Sequence, residues 1–189
     1  LAETRASLLR ADIGTGPLIT SLYTFNGPST EEKIDNWGVN LAFSSEHLLF
    51  TAGYLANIGD TDSISAETID SRIPGISFSA GVNLGGLSLI GEFITATERF
   101  QPGNGAFTAS AQPNAANIEL AFAMGPTVLA VGMQRTNEAE ELGLPKQRTL
   151  ACISHRLLSS ATIALQWATD KDHAGERGDA VITQLAVAF

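Results

Sequence analysis

The chain has 189 residues and a net charge of −9, from 20 acidic and 11 basic residues. This acidic balance excludes a typical nucleic-acid binder, because binding to phosphates requires a basic surface. A single cysteine, Cys152, excludes an intramolecular disulfide and a multi-cysteine zinc site. The hydrophobic fraction of 44% argues against global disorder, and no apolar run reaches the roughly 18 residues of a transmembrane helix.

Alternation of apolar with polar or small residues predicts an all-β chain. The segments 36–44, 76–84 and 115–124 place an apolar residue at every second position. Successive side chains of a strand point to opposite faces, so each segment has one apolar face and one polar or small face. By this criterion about eleven strands are predicted, near 4–13, 17–25, 36–44, 47–56, 76–84, 87–99, 115–124, 127–136, 147–157, 161–170 and 179–189.

The predicted connections alternate between short turns and long loops. The short ones lie near residues 14–16, 45–46, 85–86, 125–126 and 158–160, and the long ones at 26–35, 57–75, 100–114, 137–146 and 171–178. Short turns at one end and long loops at the other are typical of an outer-membrane barrel. Most acidic residues lie in or beside the long loops, which are therefore expected to be exposed to water. The sequence predicts an antiparallel up-and-down transmembrane β-barrel in the bacterial outer membrane, with the long loops outside.

The odd strand number is unusual, because bacterial single-chain barrels normally have an even number. The first predicted strand would also begin on the extracellular side. We therefore expect residues 1–189 to form the C-terminal part of a single, larger outer-membrane barrel domain. A count that is wrong by one strand is the alternative.

A series of short motifs keeps its order along the chain. They include Phe25-Asn26-Gly27, Ile34-Asp35-Asn36-Trp37-Gly38, Ile73-Pro74-Gly75, Gly91-Glu92-Phe93, Asp170-Lys171-Asp172 and the ending Leu185-Ala186-Val187-Ala188-Phe189. In this order they resemble the C-terminal half of the LbtU-like siderophore porins, the family typified by the legiobactin importer. The resemblance implies an outer-membrane barrel that imports ferric siderophores, and it implies no catalytic residues. The apolar ending with its terminal Phe189 also resembles the assembly signal of bacterial outer-membrane proteins.

With the apolar faces toward lipid, the other faces point inward. The candidate lumen-lining residues are Arg10, Asp12, Asn40, Asn83, Glu92, Glu119, Gln134, Arg148, Arg156, Gln166 and Gln184. A charge at the lipid midplane costs about 2–4 kcal/mol for Arg or Lys, which favours this inward placement. One interpretation is a hydrated lumen that selects solutes by charge. The other is that these groups pair with each other and plug a closed barrel.

Arg148 and Arg156 are an even number of residues apart in one predicted strand, that is, they have the same parity, and they therefore share a face. The guanidinium fork suits carboxylates, and ferric siderophores of the carboxylate type are anionic. With Arg10, these arginines are candidates for lining a solute path. The alternative is that they pair with Glu92 or Glu119.

Aromatic residues fall toward the ends of the predicted strands and indicate a girdle at the membrane interface. They are Trp37, Tyr54, Phe93, Phe100, Trp167 and Phe189. His155 is expected near the same interface, and Cys152 is expected to point inward as a small packing residue.

No motif for a nucleophile, a zinc site or a phosphate loop is present, so no enzymatic activity, catalytic residue or cofactor is predicted. Asp60 with Asp62, and Asp170 with Asp172 and His173, resemble sparse cation ligands but lack the spacing of a calcium loop. They are interpreted as solvated acidic loops, and no metal site is predicted.

The predicted partners are outer-membrane lipid, lipopolysaccharide and a small solute, with a ferric siderophore suggested by the resemblance. A homo-oligomer or an envelope protein is a further kind of partner, for which the sequence carries no signal. Two other functions stay open: a closed structural barrel that anchors an envelope assembly, and a soluble β-sandwich binding module.

Overall fold

The computed structural model describes residues 8–26, 34, 36–60, 72–103 and 107–188. Within them the chain forms an eleven-stranded antiparallel sheet in which the strands follow one another in sequence order. The strands are β1 (Leu8–Thr15), β2 (Leu18–Phe25), β3 (Asn36–Ser44), β4 (Leu48–Leu55), β5 (Gly75–Leu84), β6 (Leu87–Ala96), β7 (Asn114–Met124), β8 (Thr127–Asn137), β9 (Gln147–Leu158), β10 (Ala161–Lys171) and β11 (Arg177–Val187).

Each strand matches a predicted segment, and the fold class predicted from the alternation is confirmed. The predicted start of the first strand and the predicted end at Phe189 lie outside the described residues. The largest other difference is at β6, which ends at Ala96 rather than at residue 99. The pairing ends there because Pro74, the next residue in register, accepts from the N–H of Thr97 over 2.8 Å but has no N–H to donate in return.

The connections alternate as predicted. Those at one end of the sheet contain two or three residues, and those at the other end contain five to nineteen. Gly16, Gly85 and Gly125 lie in short turns with φ near +60°, a conformation that tight hairpins require and that glycine adopts without strain. The sheet therefore has a short-turn end and a long-loop end.

Cross-strand register divides the side chains between two faces. Large hydrophobic side chains crowd one of them, here called the apolar face, and remain exposed there by up to 69% at Leu9. Charged residues occur on the described part of this face only within three residues of the long-loop end, at Arg135, Lys171, Arg177 and Asp179. The result is an apolar band with charged residues along its long-loop edge, which suits contact with the apolar part of a lipid bilayer.

The opposite face, here called the polar face, carries mainly small and polar side chains. Within the described residues, no helix is long and apolar enough to cross a membrane.

The long connections contain a hydrophobic cluster of their own, here called the loop core. It consists of Ile73, Ala96, Phe100, Phe107 and Ala111, with Ile58 and Leu142 packed against it. Phe100 and Phe107 are 0% and 1% exposed, and their ring centroids lie 4.6 Å apart. Two predictions are therefore wrong. Phe100 is not a membrane-interface residue. The long loops are also not exposed to water throughout, because they bury an apolar interior against the end of the sheet.

Two buried asparagines fix the first turn of the connection between β4 and β5. The side chain of Asn36 donates to the carbonyl of Asn57 over 2.7 Å and accepts from the N–H of Asn57 over 3.1 Å. The side-chain oxygen of Asn57 accepts from the N–H groups of Gly59 and Ile73, at 3.1 and 3.3 Å. These bonds satisfy backbone donors that would otherwise be buried without a partner.

Candidate functional site

All the candidate lumen residues lie on the polar face. Residues that are directly opposite in neighbouring strands share a face of the sheet. When the cross-strand partners are followed from β1 to β11, every candidate lies on the same face. The candidates placed in this way are Arg10, Asp12, Asn40, Asn83, Glu92, Glu119, Gln134, Arg148, Arg156, Gln166 and Gln184. Parity in the sequence therefore assigned the face of every one of these side chains.

One ladder of directly opposite residues carries a polar side chain on seven consecutive strands, from β4 to β10. This polar belt consists of Thr51, Ser79, Glu92, Asn117, Gln134, Arg148 and Asp170. At about 4.8 Å between strands, it extends roughly 29 Å across the sheet. It crosses the middle of β6 and reaches the long-loop end at β10, where Asp170 is the penultimate residue.

Neighbouring members of the polar belt bond to each other. The hydroxyls of Thr51 and Ser79 lie 2.7 Å apart, and the amide of Asn117 donates to a carboxylate oxygen of Glu92 over 3.1 Å. At the other end of the belt, the guanidinium of Arg148 donates two hydrogen bonds of 2.6 Å to the carboxylate of Asp170. Such a bidentate salt bridge is among the strongest polar contacts in proteins.

The pairing of Arg148 differs from both partners proposed for it. The sequence offered Glu92 or Glu119, whereas the structure gives Asp170 on the adjacent strand. Glu92 is three strands away along the polar belt, which separates the two backbones by about 14 Å. Parity assigned the face, but only the strand order shows which carboxylate is adjacent.

Arg10 and Arg156, which also lie on the polar face, have surroundings different from those of Arg148. Arg10 donates to Asp12 over 2.8 Å and to the hydroxyl of Ser21 over 3.1 Å. Arg156 lies opposite Thr162 near the short-turn end, about 26 Å along β9 from Arg148. In the part of the chain that the structure describes, no carboxylate pairs with Arg156. One small solute therefore cannot bind Arg148 and Arg156 at the same time.

The two carboxylates on β6 and β7 are not neutralised. Glu92 bonds to the neutral amide of Asn117, and Glu119 lies diagonal to it, between Ile90 and Gly132. No cation pairs with either carboxylate within the described ranges. Since Arg10 and Arg148 are each neutralised by an aspartate, this middle part of the polar face carries uncompensated negative charge.

Two adjoining cavities lie over the polar face beneath the connection 138–146. The first, of about 460 Å³, is lined by Glu92, Asn117, Gln134 and Arg148 of the polar belt, and is here called the polar cavity. The second, of about 520 Å³, has no charged residue in its lining and is here called the apolar cavity. The two share the lining residues Ser77, Ile94, Ala115 and Leu144.

Tyr23 lines the apolar cavity because Gly38 makes room for it. The two residues are opposite each other on β2 and β3, and a Cβ at Gly38 would overlap the phenol ring of Tyr23. Neither Tyr23 nor Leu144 was among the residues predicted to line the interior. Tyr23 has the parity of the polar face, which was a usable signal, but a loop leucine such as Leu144 gives no sign of its position.

Hydrogen bonds and an ion pair hold the connection 138–146 in place. The guanidinium of Arg99 lies 2.7 Å from the carboxylate of Glu138, which also accepts from the N–H of Gln112 over 2.7 Å. These contacts, the one from Gln112 first, lower the pKa of Glu138 below its ordinary value. The hydroxyl and the N–H of Thr108 both donate to Glu141 and lower the pKa of that carboxyl.

Apart from Phe100, the predicted interface aromatics lie on the apolar face where the structure describes them. Trp37 and Tyr54 lie at the long-loop ends of β3 and β4, with ring centroids 5.2 Å apart. Phe93 and Trp167 lie on the same face, three and four residues from the long-loop ends of β6 and β10. Phe189 lies outside the described residues.

His155 is also on the apolar face, near the short-turn end, and its Nδ1 lies 2.8 Å from the hydroxyl of Thr127. Cys152 is on the polar face, as expected. Among the acidic residues that resembled cation ligands, Asp170 forms an ion pair with Arg148, and Asp172 accepts from the N–H of Glu176 over 2.8 Å. Asp62 is outside the described residues, among which no three side chains of His, Cys, Asp or Glu converge on a metal position.

No family model and no curated protein matches the chain. Solved structures do match it over nearly its whole length. A porin gives a TM-score of 0.64 at 14% identity, over 95% of this chain and 62% of the porin. The outer-membrane channel DcaP of Acinetobacter baumannii gives 0.62 at 10% identity, over 100% of this chain and 64% of DcaP. The NanC porin gives 0.51 at 9% identity, over 97% of this chain and 93% of NanC.

These likenesses are of fold. The chain spans about three fifths of the length of the first two proteins that it matches. Together with the exposed apolar band, they give the chain the porin-like β-barrel fold that was predicted, and its place is the bacterial outer membrane.

Proposed function

We propose that the chain forms part of the wall of an outer-membrane channel for small solutes. The observation that carries this proposal is the polar belt, which lies on the face opposite the apolar band. A continuous row of seven polar side chains along that face suits contact with water and polar solutes.

A barrel with a closed lumen is the second candidate, and specific contacts favour it. Arg10 pairs with Asp12, Arg148 pairs with Asp170, and the connection 138–146 covers part of the polar face. These pairs lie between neighbouring strands or within one strand, however, so they hold the side chains against the wall instead of bridging the interior. For this reason we favour the channel.

The test is conductance of the full-length gene product in planar lipid bilayers, with liposome swelling by sugars of increasing size as a second measurement. Folding is established first by electrophoresis in SDS, since a folded barrel with a complete ring of strands changes its mobility only after boiling. Stepwise conductance is expected. A protein that shows the heat-dependent shift but conducts nothing would replace the channel by the closed structural barrel.

On the resemblance to siderophore porins, we further propose ferric siderophores as a solute. The charges bear on which complexes would pass. Arg10 and Arg148 are already neutralised, so a path for anionic complexes would rest on Arg156. Uptake of radiolabelled ferric complexes by cells that carry Arg156→Gln tests this path, with Arg148→Gln as the comparison. Uptake that depends on the protein but not on Arg156 would remove the anionic path, and uptake that is independent of the protein would remove the siderophore proposal.

A further inference from the structure

The polar and apolar cavities together form one amphipathic recess. They share Ser77, Ile94, Ala115 and Leu144, and each has the size of a cavity that binds a small molecule. Ile58, Ile94 and Leu142 contribute apolar side chains on one side, and Glu92, Asn117 and Gln134 contribute polar groups on the other. A ligand that fills both would carry an apolar part beside a polar or charged part.

The sign of the charge follows from the pairing in the polar cavity. The guanidinium of Arg148 is occupied by both oxygens of Asp170, and among the described residues the only hydrogen bond to Glu92 comes from a neutral amide. Arg135 contributes to the lining, but its position in the register belongs to the apolar face. The side chain of the polar belt that retains a net charge in this cavity is therefore Glu92, and its complement is a cation.

A third cavity, on the other side of Leu144, adds to the negative charge around the recess. It measures about 500 Å³ and shares Leu144, Pro145 and Arg148 with the polar cavity. Its lining contains four carboxylates, Glu140, Asp170, Asp172 and Glu176, against the two guanidinium groups of Arg148 and Arg177. Because acidic residues are in excess in its lining, this cavity also raises the local concentration of cations beside the recess.

We infer that the recess beneath the connection 138–146 is a binding site for amphipathic cations, with Glu92 binding the positive group and Leu144 contacting the apolar group. The inference rests on the proposed channel function for its physiological meaning, since it names the solutes that the channel would select. A ferric complex would meet this requirement only with a cationic charge and an apolar portion.

The probes are hexyltrimethylammonium, tetramethylammonium and hexanesulfonate, which separate the apolar group from the charge. Block of the current through the full-length protein in planar bilayers is measured for each. Hexyltrimethylammonium is expected to block at concentrations at least about tenfold lower than tetramethylammonium, because it buries several additional methylene groups. Hexanesulfonate, with the same chain and the opposite charge, is expected to block weakly. Equal block by the two hexyl probes would overturn the inference.

Two substitutions assign the contacts. Glu92→Gln keeps the shape and the bond to Asn117 and is expected to weaken block by hexyltrimethylammonium about tenfold, because the quaternary ammonium loses its Coulombic attraction to a carboxylate. Leu144→Ser is expected to reduce the advantage of hexyltrimethylammonium over tetramethylammonium. Glu98→Gln is the matched control, since it removes an exposed carboxylate from a long connection but lines neither cavity. Unchanged block in Glu92→Gln, or an equal loss in Glu98→Gln, would remove the assigned site.

Calorimetric titration of the detergent-solubilised full-length protein with the same probes separates this inference from the channel. A folded protein that binds hexyltrimethylammonium in a Glu92-dependent way but conducts nothing would keep the site and exclude the channel. A protein that conducts but neither binds nor is blocked selectively would keep the channel and exclude the site.

Discussion

The apolar face of the sheet and the loop core use the same kinds of side chain but differ in exposure. Phe122, on the apolar face, is 46% exposed, whereas Phe100, in the loop core, is 0% exposed. The loops form a small interior of the kind found in water-soluble proteins, held by aromatic stacking and by buried asparagines. The apolar face has no such interior and needs lipid to cover it. One chain therefore meets two solvents, and the boundary between them lies at the long-loop end of the strands.

The largest expected effect is loss of the loop core. Phe100→Ala removes a fully buried ring that stacks on Phe107, which costs about 3–5 kcal/mol in a packed interior. The amides of Phe100 and Ala111, which bond across this loop, should then exchange hydrogen faster. Phe122→Ala is the control, since it changes the same residue type on the apolar face. If both substitutions left the exchange of these amides unchanged, the loop core would not be a cooperative unit.

A charge on the apolar face tests the other half of the comparison. Val131, in β8 between Leu120 and Ala151, is 54% exposed, so Val131→Arg would cost little in water. In lipid it is expected to cost about 2–4 kcal/mol. Folding yield into vesicles, read from the heat-dependent electrophoretic shift, should fall for Val131→Arg and remain high for Ala130→Arg on the polar face. Equal yields would indicate that the apolar face is not in contact with lipid.

The sheet was predictable from sequence because its rule is local. Alternation with period two needs only the neighbouring residues, and it assigned the faces of Glu92, Gln134 and Arg156 correctly. The loop core was not predictable in this way. Phe100 belongs to one connection and Leu142 packs against its cluster from another, and no periodicity in either connection indicates that they come together.

The same distinction holds for the candidate site. Parity places Arg148 on the polar face, but its bond to Asp170 depends on which strand is adjacent and on the register of the pair. Cavities depend on still more distant contacts. Leu144 lines three of them from a loop, and the sequence shows only an apolar residue before a proline.

A smaller effect is expected at the asparagine that joins the first long turn to the sheet. Asn57→Ala would leave the N–H groups of Gly59 and Ile73 without the side-chain acceptor that they now share. An unsatisfied buried donor costs about 1–3 kcal/mol. Limited proteolysis of the connection between β4 and β5 should become faster, while the heat-dependent shift of the barrel is unchanged. Loss of the shift would mean that this loop is needed for the sheet itself, and no change in proteolysis would mean that the two bonds do not hold the loop.

The smallest expected effect is a pH dependence confined to the loops. The pKa values of Glu138 and Glu141 are lowered by donors from Gln112 and Thr108, so these carboxylates stabilise the folded loops when they are ionised. Their contribution is complete above the ordinary carboxyl value of about 4.3 and is lost as the pH falls through the lower values of the folded chain. The amide resonance of Thr108, followed by NMR in detergent micelles, should shift with a midpoint below 4.3. Glu141→Gln should abolish this transition without altering resonances of the strands. A midpoint at the ordinary value would show that the bond from Thr108 to Glu141 does not persist, and a simultaneous change in the strands would show that the loop core and the sheet do not respond to their two solvents independently.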